Sequence, residues 1–201
     1  ALYSENMART RLKGQRVHLF VSSMGRVNYY MGFFVADTLS ILVPLIITPL
    51  LLLIFGFKAI VDSNILAYFL LVILFAPSCV AFGYFMSWFF PTIEAAQEWG
   101  QEVIGIVTAM PFFLTGFVID ASNAAHTLIG LIPGYALFRG FSVIEAEAGA
   151  GRPYETVADI FDTDRDLLSV YVILIVDTFL YWGIVILCEK LEAPVKRAMN
   201  D

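Results

Sequence analysis

Residues 126–141 read HTLIGLIPGYALFRGF, apolar enough to enter a membrane yet interrupted by Gly130, Pro133, Gly134, Arg139 and Gly140. Whether this stretch crosses the bilayer decides the fold, because it fixes the side on which the C-terminal end emerges. As a helix, 16 residues reach only about 24 Å, short of the roughly 30 Å hydrocarbon core. Pro133 beside Gly134 breaks such a helix near its middle. A broken segment survives at membrane depth only where other protein surrounds it. The expected shape is therefore a re-entrant hairpin that dips in from the outer face and returns, with Pro133 and Gly134 at its turn. Gly130 and Gly134 also form a G-x-x-x-G, a spacing that allows close helix approach.

The surrounding chain is of membrane type. Of its 201 residues, 59% are hydrophobic and 15% charged, too little polar surface for a water-soluble fold of this length. The apolar residues run in long blocks, the helical-span pattern and not the alternation of a barrel. The expected fold class is all-α integral membrane, with about four transmembrane helices plus the outer-face hairpin. Spans are expected at about 29–57, 65–90, 103–119 and 167–188, with the hairpin at 126–141 and an outer loop at 142–166. Residues 1–26 form a basic cytoplasmic segment, 27–190 the membrane domain, and 191–201 a charged tail. A net charge of -6 without a basic surface excludes nucleic acid as a partner.

Lys and Arg set orientation. Arg9, Arg11, Lys13, Arg16 and Arg26 precede the first span, and Lys190, Lys196 and Arg197 follow the last. With four crossings, both groups are cytoplasmic, which is eight of the 12 basic residues. A fifth crossing instead places inside the acidic stretch 145–166, with seven carboxylates against Arg152 and Arg165. The bias favours four. The chain opens ALYSENMARTR, without an initiator Met or a signal-peptide core, and is expected to be part of a longer polypeptide.

Few residues carry chemistry. Asp37 and Asp177 lie within the first and last spans, where a carboxylate costs about 2.5–3.5 kcal/mol on insertion scales and normally faces protein or a water-filled path. They either line a transport path or lock the bundle; Asp37 can also hydrate near the interface or pair with Arg26 or Tyr29. Arg139 either binds lipid phosphate, pairs with the acidic loop, or snorkels to the headgroups. Glu94, Glu98 and Glu102, at i, i+4 and i+8, stripe one helical face and either meet the basic segment or are solvated. Pro44, Pro49, Pro77 and Pro111 kink the first three spans. His126 has no second ligand at metal-binding spacing, and Cys79 and Cys188 sit in apolar runs as small buried side chains. No P-loop, H-E-x-x-H or G-x-S-x-G is present, so the chain carries neither a catalytic site nor an ATPase site of its own.

The order of the basic segment, LFVSSMGRVNYYMGFFVADTLSILVPLIITPLLLLIFG, then SWFFPTIEAA, LIGLIPGYALFRGF and IVDTFLYWGIVIL resembles the second transmembrane half of A-subfamily ABC transporters. Where that family shows K-H-L-Q-x-x-S-G, this chain reads RVHLFVSS; where it shows Trp-Asp, this chain has Ala36-Asp37. The family's Phe-Pro…Leu-x-x-Gly is matched by Ile132-Pro133…Leu137-Phe138-Arg139-Gly140. The resemblance implies an ATP-driven exporter or flippase, most often for lipid. It further implies that Arg9, Arg11, Lys13 and Arg16 belong to a coupling segment pushed by a nucleotide-binding domain outside these residues, which binds ATP and Mg. That domain and the other transmembrane half are then the protein partners, and membrane lipid surrounds the chain. By the residues alone, residues 1–26 serve equally as a basic flank drawn to anionic lipid, worth about 1 kcal/mol per cation. An ATP-independent channel or scramblase, or an ABC-2 permease with a non-lipid substrate, fits the same intramembrane carboxylates and kinks.

Overall fold

The computed structural model describes residues 26–57, 60–61, 63–115, 123–162 and 165–198. Among them every regular element is helical: α1 (Arg26–Ile54), α2 (Ile65–Met86) followed by a 3-10 turn (Ser87–Phe89), α3 (Ile93–Glu98), α4 (Gly100–Phe113), α5 (Asn123–Ile129), α6 (Pro133–Gly149), α7 (Val157–Ile160) and α8 (Leu167–Ala198). Three stretches are long and apolar enough to cross a membrane: Tyr30–Ile54, Ile65–Phe89 and Leu167–Lys190. The expected third span is met by a shorter apolar helix, Glu102–Phe113, and residues 116–119 lie outside the described residues.

Helix α2 is the axis of the bundle. It packs against α8, α1 and α6, and 56% of its most apolar window is buried, against 6% for α1, whose outward face is left to lipid or a partner. Its apolar surface therefore runs nearly all round, as a buried helix requires. Asn64 caps its start, accepting from the Leu66 N–H at 3.0 Å, and the Asn64 N–H donates to the Tyr154 carbonyl at 2.5 Å.

Helix directions follow from cross-contacts. The Tyr171 hydroxyl donates to the Ala67 carbonyl at 2.9 Å near the starts of α8 and α2. Further along both, the Tyr181 and Phe82 rings meet at 5.1 Å. These two helices thus run parallel. Helix α1 runs the other way, because the Tyr30 hydroxyl at its start donates to Glu189 Oε2 near the far end of the last spanning stretch at 2.7 Å. Parallel α2 and α8 oblige residues 90–166 to carry the chain from one end of the bundle back to the other. The start of α1 and the far end of α8 consequently share one end.

The opening stretch forms a helix–break–helix unit, α5–α6. Gly130, Leu131 and Ile132 make the break, and Pro133 is the first residue of α6, where its missing N–H leaves no orphan. The turn therefore precedes Pro133-Gly134 instead of being formed by it. Side chains nine positions apart on a straight helix stand about 13.5 Å apart along the axis; His126 Nδ1 and the Tyr135 hydroxyl, nine apart, meet at 2.5 Å. The chain therefore bends sharply at the break. The second limb is 17 residues long and reaches Gly149, so the first part of the expected loop 142–166 is helix. The chain leaves that helix through Gly151, whose φ of +73° is a conformation that glycine adopts without strain.

Candidate functional site

Three glycines of α5–α6 set its depth in the bundle. A Cβ on Gly134 would lie 2.0 Å from Thr108 Cγ2 of α4, and one on Gly140 would lie 2.6 Å from Leu71 Cδ1 of α2. At Gly130 it would meet the His126 carbonyl at 3.0 Å and Ile173 Cδ1 of α8 at 3.2 Å. The α5–α6 unit is thus wedged against three other helices, and both residues of the G-x-x-x-G make close approaches. The break's polar backbone is also served: the Tyr181 hydroxyl donates to the Leu131 carbonyl at 2.6 Å, binding α8 to the turn. Around His126, Thr115 Oγ1 donates to the Pro111 carbonyl at 2.9 Å and lies 3.3 Å from the Tyr135 hydroxyl.

The intramembrane carboxylates occupy the two seams of α2. Along α1, Tyr30, Phe34, Asp37 and Ile41 follow helical spacing toward α2 and α8. Asp37 Oδ2 accepts a 2.6 Å hydrogen bond from the Tyr84 hydroxyl of α2. The structure brings Asp37 to Tyr84, which sequence reasoning missed; local spacing pointed to Tyr29 or Arg26, and no sequence signal links positions 47 apart. Asp177 is fully buried on the face of α8 that carries Leu174 and Tyr181, and neither of its oxygens has a hydrogen-bond partner among the described residues. Ser78, on the α2 stretch between Ala67 and Phe82, is likewise buried with its hydroxyl unpartnered among the described residues. Such orphan polar groups are expensive at membrane depth.

At the end where α2 and α8 begin, Arg139 is 8% exposed and its Nη2 contacts Asp166 Oδ2 at 3.3 Å. Of the roles open to it, pairing with the acidic segment is the one the structure displays. Arg165 stacks over the buried Tyr154 ring, 5.0 Å from its centroid. Burial, and then the charge of Glu147, push the Tyr154 hydroxyl up to about 12. Asp159, part-exposed at the start of α7, is held below its ordinary value by hydrogen bonding with the Thr156 backbone and side chain.

Glu94, Glu98 and Glu102 are all exposed, but they divide between α3 and α4 with a break at Trp99, so they do not share one continuous helix. Arg9, Arg11, Lys13 and Arg16 lie outside the described residues. Pro44 and Pro49 sit inside α1, Pro77 inside α2 and Pro111 inside α4. Cys79 and Cys188 are free and part-buried.

Residues 1–187 match the family described as "ABC-2 family transporter protein". The chain belongs to the ABC-2 transporter family. It is an integral, multi-pass membrane protein and a permease component of an ABC transporter. It is similar to "ABC transporter A family member 11" of Dictyostelium discoideum, at 27% identity over 165 residues. That alignment covers 81% of this chain and 20% of the relative, so the chain spans about a fifth of the length of the curated relative it matches. No solved structure matches.

Proposed function

We propose that this chain forms the path-lining part of one membrane half of an ATP-driven ABC exporter or flippase whose substrate is lipid. The observation that carries the proposal is the pair of carboxylates on either seam of α2: Asp37 held by Tyr84, and Asp177 buried without a partner among the described residues. Polar stations beside a central helix give a moving polar group somewhere to go when the seams shift. The lipid assignment is what the resemblance of the sequence to A-subfamily ABC transporters implies.

In this mechanism a nucleotide-binding domain outside these residues binds ATP and Mg and pushes on the basic segment, with Arg9, Arg11, Lys13 and Arg16 taking the load. The exposed Glu94–Glu98–Glu102 region is the second cytoplasmic contact. The common end of α1 and α8 is then cytoplasmic, and residues 90–166 cross once overall, through α4 and the hairpin, giving four crossings.

The test is ATP-dependent movement of fluorescent lipid between leaflets by the full-length protein in proteoliposomes. Movement that persists without ATP supports the channel or scramblase alternative, and absence of lipid movement beside intact ATP hydrolysis supports a non-lipid substrate. Cysteine placed at Glu147 reports orientation: labelling only from the cytoplasm overturns the topology.

A further inference from the structure

The end of the bundle where α2 and α8 begin holds a group of buried donors with nothing to bind. Arg139 Nη1, Arg165 Nη1 and the Tyr154 hydroxyl are each shielded from solvent and without a hydrogen-bond partner among the described residues. They belong to one cluster: Arg139 touches Asp166, Arg165 is its chain neighbour, and Arg165 lies over the Tyr154 ring. Tyr154 is fully buried and Arg139 nearly so.

Among the described residues, the carboxylates do not use these donors. Asp166 reaches Arg139 through one oxygen at 3.3 Å, and Asp162 reaches Arg165 Nε at 4.0 Å, whereas a guanidinium bound to its full partner makes two parallel contacts at about 2.7–2.9 Å. The Asp166 and Asp162 side chains are 56% and 43% exposed, facing water while the free nitrogens face inward. Glu147, whose charge also acts on Tyr154, is engaged by Arg152 at 3.2 Å. Depth is the second observation. Arg165 and Asp166 immediately precede the spanning stretch that begins at Leu167, and the Tyr154 carbonyl receives the Asn64 N–H one residue before the stretch that begins at Ile65. Both flanks sit where a bilayer presents its phosphates.

We propose that Arg139, Arg165 and the Tyr154 hydroxyl form a receptor for a phosphate oxyanion, which enters by displacing the Asp166 carboxylate from Arg139. The exchange is charge-for-charge, so the cluster keeps its two guanidiniums balanced by two anions. The site deepens the lipid assignment and rests on it only for the source of the phosphate; binding is read without nucleotide, so its failure and a failure of ATP-driven transport are separable.

The experiment measures thermal stabilisation of the full-length protein, held in a phosphate-free maltoside detergent, as dihexanoylphosphatidylglycerol, dihexanoylglycerol or inorganic phosphate is titrated in. Stabilisation by dihexanoylphosphatidylglycerol and not by dihexanoylglycerol is expected, weakened about tenfold or more in Arg165→Gln and less in Tyr154→Phe. Asp166→Asn, which removes the competing anion, is expected to tighten binding several-fold, a gain that a misfolded variant cannot show. Inorganic phosphate acting at the same residues identifies a free anion as the source; action by the phospholipid alone identifies a headgroup. Equal stabilisation by dihexanoylglycerol, an unchanged affinity in Arg165→Gln, or no tightening in Asp166→Asn each overturns the proposal.

Discussion

Gly134→Ala tests the placement of α6 against α4 at its tightest point. The new methyl would stand 2.0 Å from Thr108 Cγ2, 2.8 Å from its Oγ1 and 2.9 Å from its Cβ. Carbon atoms prefer about 3.5–4.0 Å, so α4 and α6 would have to separate by more than about 1 Å, or Thr108 would have to be displaced. Overpacking of this kind costs about 1–3 kcal/mol. Some 2 kcal/mol in a domain of this size lowers the unfolding midpoint by roughly 4–8 °C. The assay is thermal unfolding of the full-length detergent-solubilised protein, followed by the surviving monodisperse fraction. Gly105→Ala is the matched control on the same helix as Thr108: nothing lies within 4 Å of the added Cβ, so the helix propensity of Ala leaves the midpoint unchanged or raised. Thr108→Ala deletes the two nearest atoms and should restore part of the loss, with a coupling of about 1 kcal/mol between the two positions. If Gly134→Ala unfolds at the wild-type midpoint, or if the double substitution is the plain sum of the singles, α6 is not seated against α4 through Gly134 and Thr108.

Tyr84→Phe strips Asp37 of its 2.6 Å donor and should destabilise the protein by about 1–3 kcal/mol, whereas Asp37→Asn, which keeps an acceptor, should cost less; equal losses in thermal unfolding would contradict the pairing. Asp177→Asn should fold normally, because no donor is lost from its surroundings among the described residues, yet abolish ATP-dependent lipid movement; unchanged transport in a folded variant removes Asp177 from the path. The start of α7 should loosen in acid. Asp159 has its folded pKa depressed, so its capping contribution is present above the ordinary value of 3.8 and disappears as pH falls below it through the lower folded value. Amide exchange at Val157–Ile160 should therefore quicken in that window beyond the intrinsic pH dependence, and Asp159→Asn should erase the difference.

The break in residues 126–141 was legible in sequence because proline and glycine act locally: a missing N–H and a missing Cβ limit a helix whatever surrounds it. The break's register was not. Pro133 and Gly134 were expected at the turn, and instead they open α6, because a proline fits the first helical position as readily as a bend. Arg139 was recognisable as a cation with three possible roles, and its pairing with Asp166, 27 positions away, needed the fold.

What the sequence determined by itself is the solvent. Long apolar runs with charges confined between them must be helices in a bilayer, since only helices and closed barrels satisfy the backbone there and barrel strands would alternate, and the three stretches that the structure shows as long enough to span were readable from length alone. Only the tertiary structure decided how those helices face one another. Within lipid, apolar surfaces are nearly interchangeable, so hydrophobicity cannot choose neighbours. The choice falls to a few short-range contacts between distant positions: Tyr84 on Asp37, Tyr30 on Glu189, Tyr171 on the Ala67 carbonyl, and Thr108 against the bare backbone of Gly134. Those contacts make α2 and α8 parallel and wedge α5–α6 among its neighbours, because a hydrogen bond or a steric fit specifies one partner where oil-like surface specifies none.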